Sequence, residues 1–150
     1  MKFQREIATS RLFEELAHLF EKHYLEISAN LDIKLELHVE RYLLIENAGG
    51  LRMFIARNEN DEAIGYAWFF VSHNLHYRES LQAVQDVIYL DRSYRGTGLG
   101  KEFIQWCDDQ LKTEGCQLVY HHIKARHNFG PMLESIGYKL VDLIYSKRLD

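Results

Sequence analysis

The chain has 150 residues, 47% of them hydrophobic and 27% charged, with one proline and a formal net charge of −4. That composition describes one ordered domain with a core of its own and excludes a disordered or low-complexity chain. The acidic balance carries no dense basic stripe, which argues against nucleic acid as a partner and suits cationic or amine ligands.

Taken in order, MKFQREIATS lacks the apolar stretch of a signal peptide, and no later run approaches membrane-spanning length. A soluble, cytoplasmic chain with no membrane partner is expected. Residues 2–8 alternate and read as a short strand. Thr9 or Ser10 then caps a helix whose Leu12, Phe13, Leu16, Leu19, Phe20, Tyr24 and Ile27 follow helical spacing. The aromatic stripe on it reads first as core, with part of it available to line an acceptor pocket. A second helix over roughly 34–46 shows Leu35, Val39, Tyr42 and Leu43 on one face and stops at Asn47-Ala48-Gly49-Gly50. At Leu51 the period becomes extended. LRMFIAR (51–57) and AIGYAWFFV (63–71) flank the turn NENDE, which predicts a hairpin.

After a polar loop (72–80), LQAVQDVIYL (81–90) is apolar on both faces and reads as a central strand. A helix over 101–115, a strand over 116–124, a short helix around 129–136 and an extended YKLVDLIYSKRLD close the chain. Cys107 falls on the apolar helix face and Cys116 opens the next strand, a pattern that fits neither a disulfide framework nor a zinc site. The order β α α β β β α β α β(β) predicts a mixed α/β (α+β) domain over 1–150. Its mostly antiparallel sheet has six to seven strands, with about four helices. Strand–helix–strand over 81–124 makes 81–90 and 116–124 a parallel pair.

Between that central strand and the following helix lies RGTGLG, residues 95–100. Glycines here let the backbone approach a bulky anion, with free N–H groups and the helix dipole aimed at it. A P-loop fails, because Arg95 stands where its first glycine belongs and Glu102 follows Gly100-Lys101. A dinucleotide fingerprint also fails, since with Gly96 as its first position the sixth is Lys101. What remains is R-x-x-G-x-G, filled by Arg95, Gly98 and Gly100.

That pattern, within IYLDRSYRGTGLGKEFI (88–104), resembles the acyl-CoA-binding motif of the GNAT (Gcn5-related N-acetyltransferase) superfamily, and the likeness extends from about Ala83 to Lys139. The resemblance implies a GNAT-like fold in which strands 81–90 and 116–124 splay apart around the thioester. It implies acetyl-CoA as co-substrate, with its pyrophosphate on the backbone of Arg95, Gly96, Thr97, Gly98, Leu99, Gly100 and Lys101. Backbone groups of Ile88 and Leu90 would hold the pantetheine arm, and Asn128 would add a contact. It further implies direct N-acetyl transfer to a small-molecule or protein amine, and a homodimer as a common state. The family's usual tyrosine acid is replaced by Leu133, four residues before Gly137-Tyr138. A non-catalytic acyl-CoA-binding or interaction module is therefore the alternative reading.

Strand alternation places Asp86 with Val84, Ile88 and Leu90, a carboxylate among apolar side chains and hence a candidate base. Tyr120, Tyr138 and Tyr145 are the tyrosines available as an acid. Tyr66, Trp68, His76 and Tyr77, on or beside the preceding strand, are candidate acceptor contacts. The pairs His73/His76 and His121/His122 lack companion ligands, so no metal is expected.

Overall fold

The computed structural model describes residues 1–150. Its centre is a five-stranded sheet in the order β1-β2-β3-β4-β5, made of β1 (Lys2–Glu6), β2 (Leu51–Arg57), β3 (Ala63–His73), β4 (Leu81–Leu90) and β5 (Leu118–Tyr120). The first four strands run antiparallel to their neighbours, and β5 joins β4 in parallel. Helices α1 (Ser10–Ile27) and α2 (Val39–Asn47) cover one face; α3 (Leu99–Thr113) covers the other, and the short α4 (Gly130–Ser135) follows β5.

Both faces of β2 and β3 are covered, so their side chains alternate between two cores. Leu51, Met53, Ile55, Tyr66 and Trp68 pack under α1, with Phe13, Leu16, Leu19 and Phe20. Phe54, Ala56, Ala67, Phe69 and Val71 pack against Phe103, Cys107 and Leu111 of α3. Local signals set the helix ends. Thr9 Oγ1 accepts the Leu12 N–H at the start of α1, and Gly115, with φ of 95°, follows the end of α3.

Arg57 closes the end of β2. Its guanidinium donates to both Glu6 oxygens at 2.8 and 2.9 Å, to Glu15 at 2.5 Å and to the Asp61 carbonyl at 2.8 Å. β1, α1 and the hairpin turn are thus tied through one nearly buried cation.

Several elements differ from the sequence expectation. The second helix begins at Val39 rather than near 34, with the His38 side chain as its cap. β1 stops at Glu6, and β5 holds three residues instead of nine, because its ladder with β4 ends at Val84↔Tyr120. The final segment forms no strand, and from Lys139 onward no backbone group bonds to another backbone group. The sheet therefore has five strands, not six or seven. Alternation shows which segments suit a strand but not whether an edge within the chain receives them.

Replacing Arg57 by Ala would leave Glu6 part-buried without its cation and should lower the unfolding free energy by about 3 kcal/mol. Urea denaturation measures this, and an unchanged midpoint would contradict the role given to Arg57.

Candidate active site

β4 is paired with β3 along its whole length but with β5 only at Gln82, Ala83 and Val84. Beyond that point the two parallel strands separate, leaving one side of residues 85–90 open. A cleft of about 680 Å³ fills the gap, lined by β4 from Gln85 to Leu90, the end of α1, the start of α3 and residues after β5. The Asp91 N–H donates to the Ile64 carbonyl, so Asp91 faces β3. Alternation then turns the backbone groups of Leu90 and Ile88 the other way, toward the gap. The Leu90 carbonyl is already taken by Arg95 Nε at 2.7 Å; the Ile88 groups and the Leu90 N–H are directed at the cleft.

Gln85 spans the gap. Its Oε1 lies 2.8 Å from His121 Nδ1, and its Nε2 donates to the His122 carbonyl at 3.3 Å. A side-chain amide thus replaces ladder hydrogen bonds where the strands part. The His121 ring packs edge-on against Phe69 and Tyr138.

Asp86 occupies a β-bulge. Trp68 pairs with Val87 and Phe69 with Gln85, so Asp86 is the extra residue on β4. The bulge corrects the expected face. Ile88 and Leu90 pack on the α3 side, whereas Asp86 turns to the α2 side, where Tyr42 donates to its Oδ2 at 2.5 Å. Burial raises its pKa above the usual carboxylate range, against the opposing Tyr42 hydrogen bond.

The glycine loop has the expected geometry. Gly96 and Gly98 have φ of 80° and 86°, in the left-handed region, and a Cβ on either would meet nothing within 4 Å. The N–H groups from Gly96 to Lys101 find no protein acceptor, and α3 starts within the loop at Leu99. Arg95 departs from expectation, because its N–H bonds to the Arg92 carbonyl. Its guanidinium forms a two-pronged bond with Glu26 of α1 at 2.7 and 3.0 Å and lies over the Tyr89 ring. Arg95 therefore ties the loop to α1 along the wall of the cleft. Asn128 lines the cleft, yet its Oδ1 caps the Gly130 N–H at 2.8 Å.

The candidate acceptor contacts are placed elsewhere. Tyr66 and Trp68 are fully buried in the α1 core, where stacking on Phe20 and edge contact with Phe13 leave no face for a ligand. His76 and Tyr77 sit in the β3–β4 loop, held by Asn74 Oδ1, at the opposite end of β4 from the glycine loop. None of the four lines the cleft. Nor do the three tyrosines: Tyr138 donates to Asp108 at 2.6 Å, Tyr145 is exposed, and Tyr120 ends the β5 ladder. Leu133 is buried.

Sequence reasoning missed His23, Glu26, Gln85 and the Tyr42 hydroxyl. His23 carried a legible signal, a polar residue within the apolar stripe of α1. It is buried, stacks on Tyr89 and shares a 2.8 Å hydrogen bond with Tyr66. The other contacts join distant parts of the chain, and local spacing gives no sign of them.

The sequence model of the Acetyltransferase (GNAT) family matches residues 10–130. The chain belongs to the GNAT family. It is accordingly an acyltransferase. Solved structures of similar fold include a ribosomal-protein-alanine N-acetyltransferase from Brucella melitensis biovar Abortus 2308, 15% identical with a TM-score of 0.73, covering 99% of this chain and all of that one. An aminoglycoside acetyltransferase from an uncultured soil metagenomic sample, in complex with sisomicin, is 17% identical with a TM-score of 0.72, covering 98% and 96% of the two chains. A glucosamine-6-phosphate N-acetyltransferase from Arabidopsis thaliana is 16% identical with a TM-score of 0.66, each chain covered in full. At these identities the likeness concerns the GNAT fold. No curated protein matches at the sequence level. No cluster of three or more His, Cys, Asp or Glu with metal-binding geometry occurs, and no helix is long and apolar enough to cross a membrane.

Two histidines of this GNAT site carry a pH signature. Burial pulls the pKa of His23 and of His121 down from 6.5 to about 4. Between those values the unfolded chain binds more protons than the folded one, so stability falls as pH drops from 6.5 toward 4. Urea titrations across that window should show the loss, and His121→Phe should reduce it. A flat profile in the parent protein would contradict the buried, neutral state.

Proposed function

We propose that this chain is an acetyl-CoA-dependent N-acetyltransferase that moves an acetyl group directly to a primary amine of a small molecule or protein. The observation that carries the reading is the pairing of two features on one strand. β4 offers backbone groups to the open gap, and its bulge turns a carboxylate of raised pKa to the other side.

The residues present fit acetyl-CoA. The run of unclaimed N–H groups from Gly96 to Lys101, at the positive end of α3, would hold the pyrophosphate. Gly96 and Gly98 keep that surface free of side chains, while Ile88 and Leu90 present backbone hydrogen-bonding groups to the pantetheine arm. When bound, the thioester supplies an activated acetyl group. Asp86 then takes a proton from the incoming ammonium, a task suited to a carboxyl whose pKa burial has raised. Tyr42 orients that carboxylate. The acceptor comes from the α1–α2 side, where Asp86 attracts a cation. The solved structures named above include enzymes acting on an aminoglycoside and on glucosamine-6-phosphate, which supports an amine acceptor.

Thiol release from acetyl-CoA, measured over a panel of amines, tests the reading. Asp86→Asn should lower kcat by about 100-fold or more while acetyl-CoA affinity stays near that of the parent. Gly98→Val should do the reverse, weakening acetyl-CoA binding by about tenfold or more through its left-handed φ and a side chain in the cradle. Parent-like turnover in Asp86→Asn would remove the carboxylate from the mechanism.

Tyr42→Phe removes the hydrogen bond that opposes burial at Asp86, so the acidic limb of kcat/KM should move to higher pH. A pH–rate profile reads this directly, and an unmoved limb would separate Tyr42 from the base.

A further inference from the structure

Four side chains of permanent charge line the cleft, and two of them are already engaged. Glu26 holds Arg95 in a two-pronged bond and lies 3.5 Å from Arg92, so neither Glu26 nor Arg95 is free for a ligand. The other two, Asp86 and Lys124, enter no ion pair, with each other or with any other residue. Asp86 meets only the Tyr42 hydroxyl, through Oδ2. Its Oδ1 bonds to no protein atom and opens on the cleft.

Both charges face the α1 side of the sheet. The bulge turns Asp86 there, whereas His121, three positions before Lys124, packs on the α3 side against Phe69 and Tyr138. Alternation along an extended run then turns Lys124 the other way, where its charge is felt by His23 of α1. His23 adds a third polar group. Its Nδ1 is bonded to the buried Tyr66 hydroxyl, which has no other acceptor, so the hydroxyl proton belongs to that bond. The ring's own proton then stands on Nε2, which bonds to no protein atom and opens on the cleft. Burial keeps the ring neutral, so Nε2 donates without carrying charge.

We propose that the acceptor is a small zwitterion, a primary amine that also bears an acid group, either carboxylate or phosphate. This rests on the acetyltransferase reading and narrows it. The ammonium faces Asp86, and the acid oxygens face Lys124 and the Nε2–H of His23. Unpaired charges in a cleft with apolar walls act more strongly than the same charges on open surface. A plain alkylamine leaves Lys124 unanswered, and a diamine sets a second ammonium against it. The second charge of the amine therefore decides its selection.

Thiol release from acetyl-CoA tests this with glycine, β-alanine and γ-aminobutyrate, each measured against the alkylamine that lacks its carboxylate. Phosphoethanolamine against ethanolamine separates phosphate from carboxylate. At least one acid-bearing amine should exceed its match in kcat/KM by about tenfold or more. In Lys124→Met that preference should vanish, and in Lys124→Glu it should turn toward the diamine putrescine. Lys124 is exposed, so both variants should fold like the parent. Saturation-transfer NMR of each amine with the CoA-loaded protein reads binding apart from turnover. If no amine releases thiol, yet an acid-bearing one binds and loses its hold in Lys124→Glu, the acetyltransferase reading falls and the dipolar site stands. Equal treatment of matched amines by the parent, or a preference for the acid that survives Lys124→Glu, would overturn the proposal. So would the absence of binding by every acid-bearing amine.

Discussion

The site depends on β4 having a full-length partner on one side and a three-residue partner on the other. A strand keeps its shape only if its backbone groups are satisfied, and β3 supplies that along the whole length of β4. The far side is then free to serve a ligand. The cleft, the exposed groups of Ile88 and Leu90, and the position of the glycine loop at the strand's end all follow from the early divergence of β5. Gln85 stands at the fork. By bonding to His121 and to the His122 carbonyl it joins the two branches at a fixed separation.

A second constraint is electrostatic. The loop leaves its N–H groups bare, and the guanidinium of the arginine that begins the motif is engaged by Glu26. The pKa of that carboxylate is lowered, first by the Arg95 hydrogen bond, which outweighs its burial. The positive character of the loop thus rests on backbone and helix dipole more than on Arg95. Arg95 instead couples the loop to α1 and, through the Leu90 carbonyl, to the end of β4.

What the sequence disclosed and what it hid divide along physical lines. Phe13, Leu16 and Phe20 announce α1 through local spacing, the hairpin through its turn, and the cradle through Gly96, Gly98 and Gly100, because each is set by a few neighbouring residues. Asp86 was legible as a carboxylate in an apolar strand, but not its face, since a bulge depends on how β3 pairs with it. The Tyr42–Asp86 and Glu26–Arg95 contacts join residues 44 and 69 positions apart, and nothing local encodes them. The terminal segment illustrates the same limit. Its alternation resembles that of a strand, yet strand formation requires pairing with an edge, and neither free edge of the sheet takes it up.

The bulge at Asp86 also bears on how such a site could arise. Because it adds one residue without changing the pairing on either side, Val87 and Tyr89 still face α1, while Gln85 and Ile88 still face α3. A chain lacking residue 86 would keep the same register and the same two cores, and would lose only the carboxylate. Asp86 is thus an insertion into a complete sheet rather than a core position turned polar.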